Sequence, residues 1–165
     1  MKLEKLFFVL LVSVAFFLLL GCIWSSNLEN YSWILLSKDE VNTAGFNFSN
    51  GPENENITSG VTQLFKNAEN NIQGDYLDIT SRISPGFNKA EIEKLFSNSD
   101  GIAYQNIDLG ELGVYNDSEG ANNTSIIFAR GDFIITIVAQ KQDIGRLGKT
   151  VAVAKIIDEK IKSHT

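Results

Sequence analysis

The first hydrophobic stretch of the chain has no polar side. From Leu6 to Leu20, thirteen of fifteen residues are Leu, Phe or Val, and a soluble core helix would interleave a polar stripe. At roughly −0.3 to −0.6 kcal/mol per residue, insertion into a bilayer is favoured by about 4–8 kcal/mol. Lys2 and Lys5 precede the run, whereas Ser25 to Asn30 behind it carries no basic residue. The positive-inside rule then leaves the N-terminus in the cytoplasm and everything after residue 24 outside. The expected organisation is a signal peptide or membrane anchor over residues 1–24, a short tether over 25–30, and a single extracytoplasmic domain over 31–165.

Beyond the tether the pattern changes repeatedly. Tyr31 to Leu36 is short, aromatic and apolar, which predicts a strand. Asn42 to Gly60 is rich in Asn, Gly, Ser and Glu and contains Pro52, which predicts a long loop. Val61 to Lys66 and Tyr76 to Ile83 predict a hairpin; in the second segment Leu77, Ile79 and Ile83 alternate with polar residues, as in a half-buried antiparallel strand. Asn88 as N-cap, Glu91 three residues on, a Phe87–Ile92 staple and the stripe Ile92, Leu95, Phe96 predict a helix that stops at Ser97 to Gly101. Short strands are expected at Ala103 to Ile107 and Leu112 to Tyr115, then a polar loop from Asn116 to Thr124. Ser125 to Arg130 and Phe133 to Ala139 flank Gly131-Asp132, the strongest hairpin signal in the chain. Both of its faces are apolar, so this pair is expected at the centre of the sheet, covered by helix. A last helix is expected from about Ile144 to Lys162, capped by Asp143, with Leu147, Val151, Ala154, Ile157 and Ile161 inward and Arg146 on its polar face. The fold class is therefore α+β: an antiparallel β-sheet with two main helices packed on one face, plus an N-terminal hydrophobic leader or anchor helix.

Composition narrows the function classes. The net charge is −6; setting aside Lys2, Lys5 and Glu4 leaves 12 of the 14 basic and 19 of the 20 acidic residues in the outer part, a net of −7. Such a domain does not attract nucleic acid over long range. Cys22 is the single cysteine and His164 the single histidine. An internal disulfide, a His/Cys zinc site and a His-dependent triad are thereby excluded.

The position of the cysteine carries a resemblance. Leu19-Leu20-Gly21-Cys22, behind a hydrophobic leader, resembles the lipobox of bacterial and archaeal lipoproteins. The resemblance implies cleavage before Cys22 and a lipid anchor on it. Ile23-Trp24 departs from the small polar residues that usually follow. The rival reading is an uncut signal anchor: Leu6 to Trp24 comes close to the ~20 residues that span a bilayer. The layout of the outer part is also similar to the outer domains of small lipoproteins of unknown function and to some bacterial receptor-kinase sensor domains, a likeness of pattern without a diagnostic motif.

Candidate chemistry is sparse. Asn-x-Ser/Thr occurs at Asn30, Asn47, Asn56, Asn116, Asn122 and Asn123, all expected in the tether or in loops, where glycosylation would need them. Arg130-Gly131-Asp132 spells a cell-attachment tripeptide, although Gly-Asp is also what the turn requires. The oxygen-rich stretches 53–56 and 117–123 lack the ligand spacing of a calcium loop. Asp75, Asp78, Asp108 and Glu111 are the carboxylates available for acid–base work, and Tyr31, Trp33, Tyr76 and Tyr104 are the aromatics available for a ligand groove. The expectation is a membrane-anchored, non-catalytic binding or interaction module, with the membrane and an envelope protein as partners and without cofactor, metal or nucleic acid. The alternatives are a glycosylated envelope component and, further off, a carboxylate-dependent enzyme.

Overall fold

The computed structural model describes residues 28–57, 59–67, 75–85, 90, 93, 104–118, 123–140 and 145–165. Cys22, the leader and most of the helix expected at 88–96 lie outside them; of that helix, Ala90 and Glu93 are described and are helical.

Seven strands form one antiparallel sheet: β1 (Asn50–Ile57), β2 (Gly60–Lys66), β3 (Tyr76–Ile83), β4 (Gln105–Asn106), β5 (Leu112–Ser118), β6 (Asn123–Arg130) and β7 (Phe133–Gln140). Their order across the sheet is β1-β2-β3-β7-β6-β5-β4. The most apolar hairpin, β6–β7, thus lies inside the sheet as its two-sided pattern requires, and its turn is made by Gly131 at φ 54°, a conformation glycine adopts without steric penalty. Along β2, β3, β6 and β7 burial alternates with period two. One face presents Phe65, Leu77, Ile79, Ile126, Phe128, Ile135, Ile137 and Ala139 to a shared core.

A helix closes that face. Helix α2 (Arg146–Lys162) packs on β6 and β7 through Val153, Ala154, Ile157 and Ile161, each at most 1% exposed. Beside it lie a 3₁₀ helix (Leu28–Ile34) and the short helix α1 (Lys38–Thr43). The coarse α+β expectation holds; several particulars do not. Tyr31 to Leu36 forms no strand: it begins as 3₁₀ helix, because its aromatics pack as single anchors rather than across a ladder. The described residues open at Leu28 as 3₁₀ helix, inside the expected tether. Asn42 to Gly60 contains α1's end and the whole of β1. Helix α1 starts with a capping box, in which Ser37 Oγ accepts from the Glu40 amide and the Glu40 carboxylate from the Ser37 amide, satisfying two otherwise unpaired donors. β5 and β6 consume most of the expected 116–124 loop. The cap of α2 is Gly145 at φ 95°, without a side-chain bond, rather than Asp143.

Candidate functional site

Two charged clusters tie α2 to the sheet. At its start Arg146, expected on the solvent face, is 7% exposed. Its Nε donates to Thr124 Oγ1 at 2.7 Å and its guanidinium to Asp117 Oδ1 at 2.9 Å, while the Thr124 hydroxyl donates to Asp117. Burial pushes the Asp117 carboxyl up, but these bonds outweigh it and hold it below the usual carboxylate range. At the other end Asp158, 4% exposed, accepts from Arg130 Nε and from its terminal nitrogen at 3.1 Å. Lys162 adds a third contact at 3.1 Å. Burial again raises the carboxyl, and the bonds from Arg130 and Lys162 lower it by more. The guanidinium of the Arg130-Gly131-Asp132 tripeptide is therefore turned onto the core face and engaged there, which removes the cell-attachment reading.

The segment 31–35 meets the C-terminal residues beside this second cluster. Trp33 stacks on His164 with ring centroids 4.1 Å apart and planes 7° apart. Tyr31 and Trp33 each meet Phe133 edge-on, at 5.5 and 5.6 Å. Lys160 Nζ donates to Leu35 O and pairs with Glu40, both at 2.8 Å. Tyr31 and Trp33 are half-buried, and His164 is exposed. Between α1 and the end of α2 lies an open groove of about 500 Å³, lined by Glu40, Lys155, Ile156, Glu159, Lys160 and Ser163.

The candidate carboxylates of β3 and those of the turn before β5 are not brought together. Asp78 lies on the other face of β3, opposite Leu64 and Val138. Asp108 and Glu111 flank the turn before β5, which is separated from β3 by β7 and β6. At ~4.8 Å per strand that is about 14 Å. Glu111 accepts from the Gly131 amide at 3.0 Å. Three residues of the oxygen-rich stretches are engaged within the fold: Glu53 pairs with Lys66 at 2.7 Å, Asn54 accepts from Gln63, and Asp117 is held as above. Among the described residues no three His, Cys, Asp or Glu side chains are placed to hold a metal.

Asp78 instead reports on its face of the sheet. Burial raises its carboxyl, against a smaller lowering by Thr80. A folded-state value above the unfolded one means that the charge weakens folding once ionised. Asp78→Asn is therefore expected to unfold at higher urea than the wild type at pH 7. The gain should shrink as pH falls towards 4 and the Asp78 carboxyl of the folded state takes up its proton. Urea titrations at the two pH values check this.

The sequons sort by burial. Asn47 and Asn56 are exposed, Asn116 and Asn123 half-buried. Contrary to the loop expectation, Asn56, Asn116 and Asn123 belong to β1, β5 and β6, and Asn30 to the 3₁₀ helix. Asn122 lies outside the described residues. Sequence reasoning missed Gln63, the Arg146 cluster and the Trp33–His164 stack; the Ser37-x-x-Glu40 spacing was a legible sign of α1.

No protein family and no curated protein matches the chain. A solved structure of a GTP binding regulator from Thermotoga maritima aligns with 75% of this chain and 89% of its own, at 11% identity and a TM-score of 0.39. Likeness at that level carries neither fold nor function across. Among the described residues no helix is long and apolar enough to cross a membrane.

Proposed function

We propose that this chain is a membrane-anchored, extracytoplasmic binding or interaction module that performs no catalysis of its own. The observation that carries the reading is the junction between leader and domain. The apolar run ends at Trp24, and Leu28 already opens the 3₁₀ helix whose Tyr31 and Trp33 are packed against Phe133 and His164. The domain is thus held close to whatever the leader is embedded in. A signal peptide lost after export would have no need of so short a junction, whereas lipid on Cys22 or an uncut anchor helix would use it. The charged side chains support the non-catalytic part, since Arg130, Arg146, Asp117 and Asp158 are spent on holding α2 to the sheet.

A glycosylated envelope component is the second reading, favoured by the exposure of Asn47 and Asn56. Mass spectrometry of the protein extracted gently from its own membranes tests both. The binding reading expects a stoichiometric companion or a retained ligand. A protein that comes alone, carries glycan mass on Asn47 and Asn56 and is abundant overturns it in favour of the second. Lipid mass on Cys22 would separate a lipoprotein from an uncut anchor.

A further inference from the structure

The aromatic cluster also has a position relative to the leader. Trp24 to Leu28 is four residues, at most about 14 Å when extended. Leu28 to Tyr31 adds about 6 Å as 3₁₀ helix. Tyr31 therefore lies within about 20 Å of the end of the apolar run, and two more residues of chain separate it from Cys22. The same pole of the domain holds the β6–β7 turn, the end of β3 and the C-terminus: Ile83 pairs with Phe133, and Thr165 lies nearest to Gly131. The α2 start, the paired strand ends Ser118–Asn123 of β5 and β6 and Lys66–Tyr76 of β2 and β3 all lie at the opposite pole, with Arg146 against Asp117 and Thr124.

The near pole is the aromatic one. It carries the half-buried Tyr31 and Trp33 and the exposed His164. Tyr and Trp favour the headgroup layer, where an apolar ring and a polar tip are both satisfied. The outer part's net charge of −7 gives anionic lipid no hold on it, so contact would depend on rings rather than on cations.

We infer that the Tyr31–Trp33–His164 pole rests on the interface of the bilayer that holds the leader, so that the domain stands on the membrane on this end rather than swinging free. The inference rests on the anchored reading above, and its test separates the two. Trp24 and Trp33 are the chain's two tryptophans, so Trp24→Phe leaves Trp33 as sole reporter and Trp33→Phe leaves Trp24. Each full-length variant is reconstituted into phosphatidylcholine vesicles whose acyl chains are brominated close to the headgroup, with unbrominated vesicles as reference. The expected result is a loss of emission of about twofold for both reporters, insensitive to salt. Trp24 quenched with Trp33 unquenched overturns the inference and leaves the anchor intact; a protein partner on this pole would give that outcome in pure lipid. Neither reporter quenched overturns both. Trp33 quenched without Trp24 also overturns the inference, since the contact would then owe nothing to the leader. A cooperative thermal transition of each variant certifies the fold. Should Trp33→Phe lack one, Trp33→Tyr replaces it, and the Trp33 readout in Trp24→Phe is kept wherever that variant shows its own cooperative transition.

Discussion

Gln63→Ala is expected to lower stability by about 3 kcal/mol, from two buried backbone groups left unpaired at ~1–3 kcal/mol each. Gln63 is 2% exposed and points from β2 into the core face, where an amide is costly unless fully bonded. It is bonded on both sides. Its Oε1 accepts from the Leu36 amide at 2.9 Å, and its Nε2 donates to Leu36 O at 3.1 Å and to Asn54 Oδ1 at 3.1 Å. The side chain acts as a short surrogate strand that pins the segment after the 3₁₀ helix to the sheet. Thermal unfolding should show a fall of roughly 10 °C at ~2–4 °C per kcal/mol. Gln63→Glu should lose as much, because its carboxylate would face Leu36 O with no donor to offer. A fall below about 3 °C in both variants would mean that Leu36 finds water or another partner.

The second large effect lies at Asp158. Replacing it by Ala leaves Arg130 facing the core without its carboxylate, and breaking a buried pair in this way costs about 3–5 kcal/mol. The lower end is expected, since the Arg130 side chain is 21% exposed and water recovers part of the loss. The double variant Arg130→Met/Asp158→Leu should regain most of it, because the penalty comes from a lone charge rather than from a missing attraction. Urea denaturation of both variants decides the point; a double variant as weak as the single would overturn it. The pH dependence has a definite sign. The Asp158 carboxyl is held below its usual range in the folded state, so its contribution is complete above the unfolded value of about 3.9. It disappears as pH falls through the lower folded value. The deficit of Asp158→Ala should thus be flat from pH 7 to 5 and close only in acid below about 4.

Both predictions concern residues whose roles the sequence did not disclose, and the reason is physical. Period-two alternation marks strands that bury one face, so β3 was readable to the residue and β6–β7 nearly so, with Gly131-Asp132 supplying the turn. Helix α2 was readable through its 3–4 spacing. β1 was not, because it is an edge strand exposed along nearly its whole length. A strand with so little to bury has no reason to alternate, and its Asn, Glu and Pro are the residues that blunt an edge. The segment 31–36 misled for the converse reason: its aromatics were read as ladder residues, while they pack singly against Phe133, His164 and the core. Arg146 looked solvent-facing because helical spacing says which side of a helix a residue occupies, not whether β5 and β6 reach around to meet it. Gln63 carried no signal at all, since its partner is the backbone of a residue 27 positions earlier. The candidate site followed the same logic. Of its elements α2 was foreseen, whereas the 3₁₀ helix and α1 were not, and the meeting of residue 33 with residue 164 is a long-range event that local pattern does not encode.

That meeting has a mechanical side. The strands of the sheet run from the pole that holds Tyr31, Trp33 and the C-terminus to the pole where β2 meets β3 at Lys66–Tyr76 and β5 meets β6 at Ser118–Asn123. A load drawn between the anchor and anything gripping those far strand ends would pull along the strands, so neighbouring ladders would be sheared with their hydrogen bonds loaded together instead of being unzipped one by one. Tension would first reach the contacts that fasten the N-terminal segment, among them the Trp33–His164 stack, the Lys160 bond to Leu35 O and the Gln63 amide. The sheet behind them would stay whole while those fastenings give way.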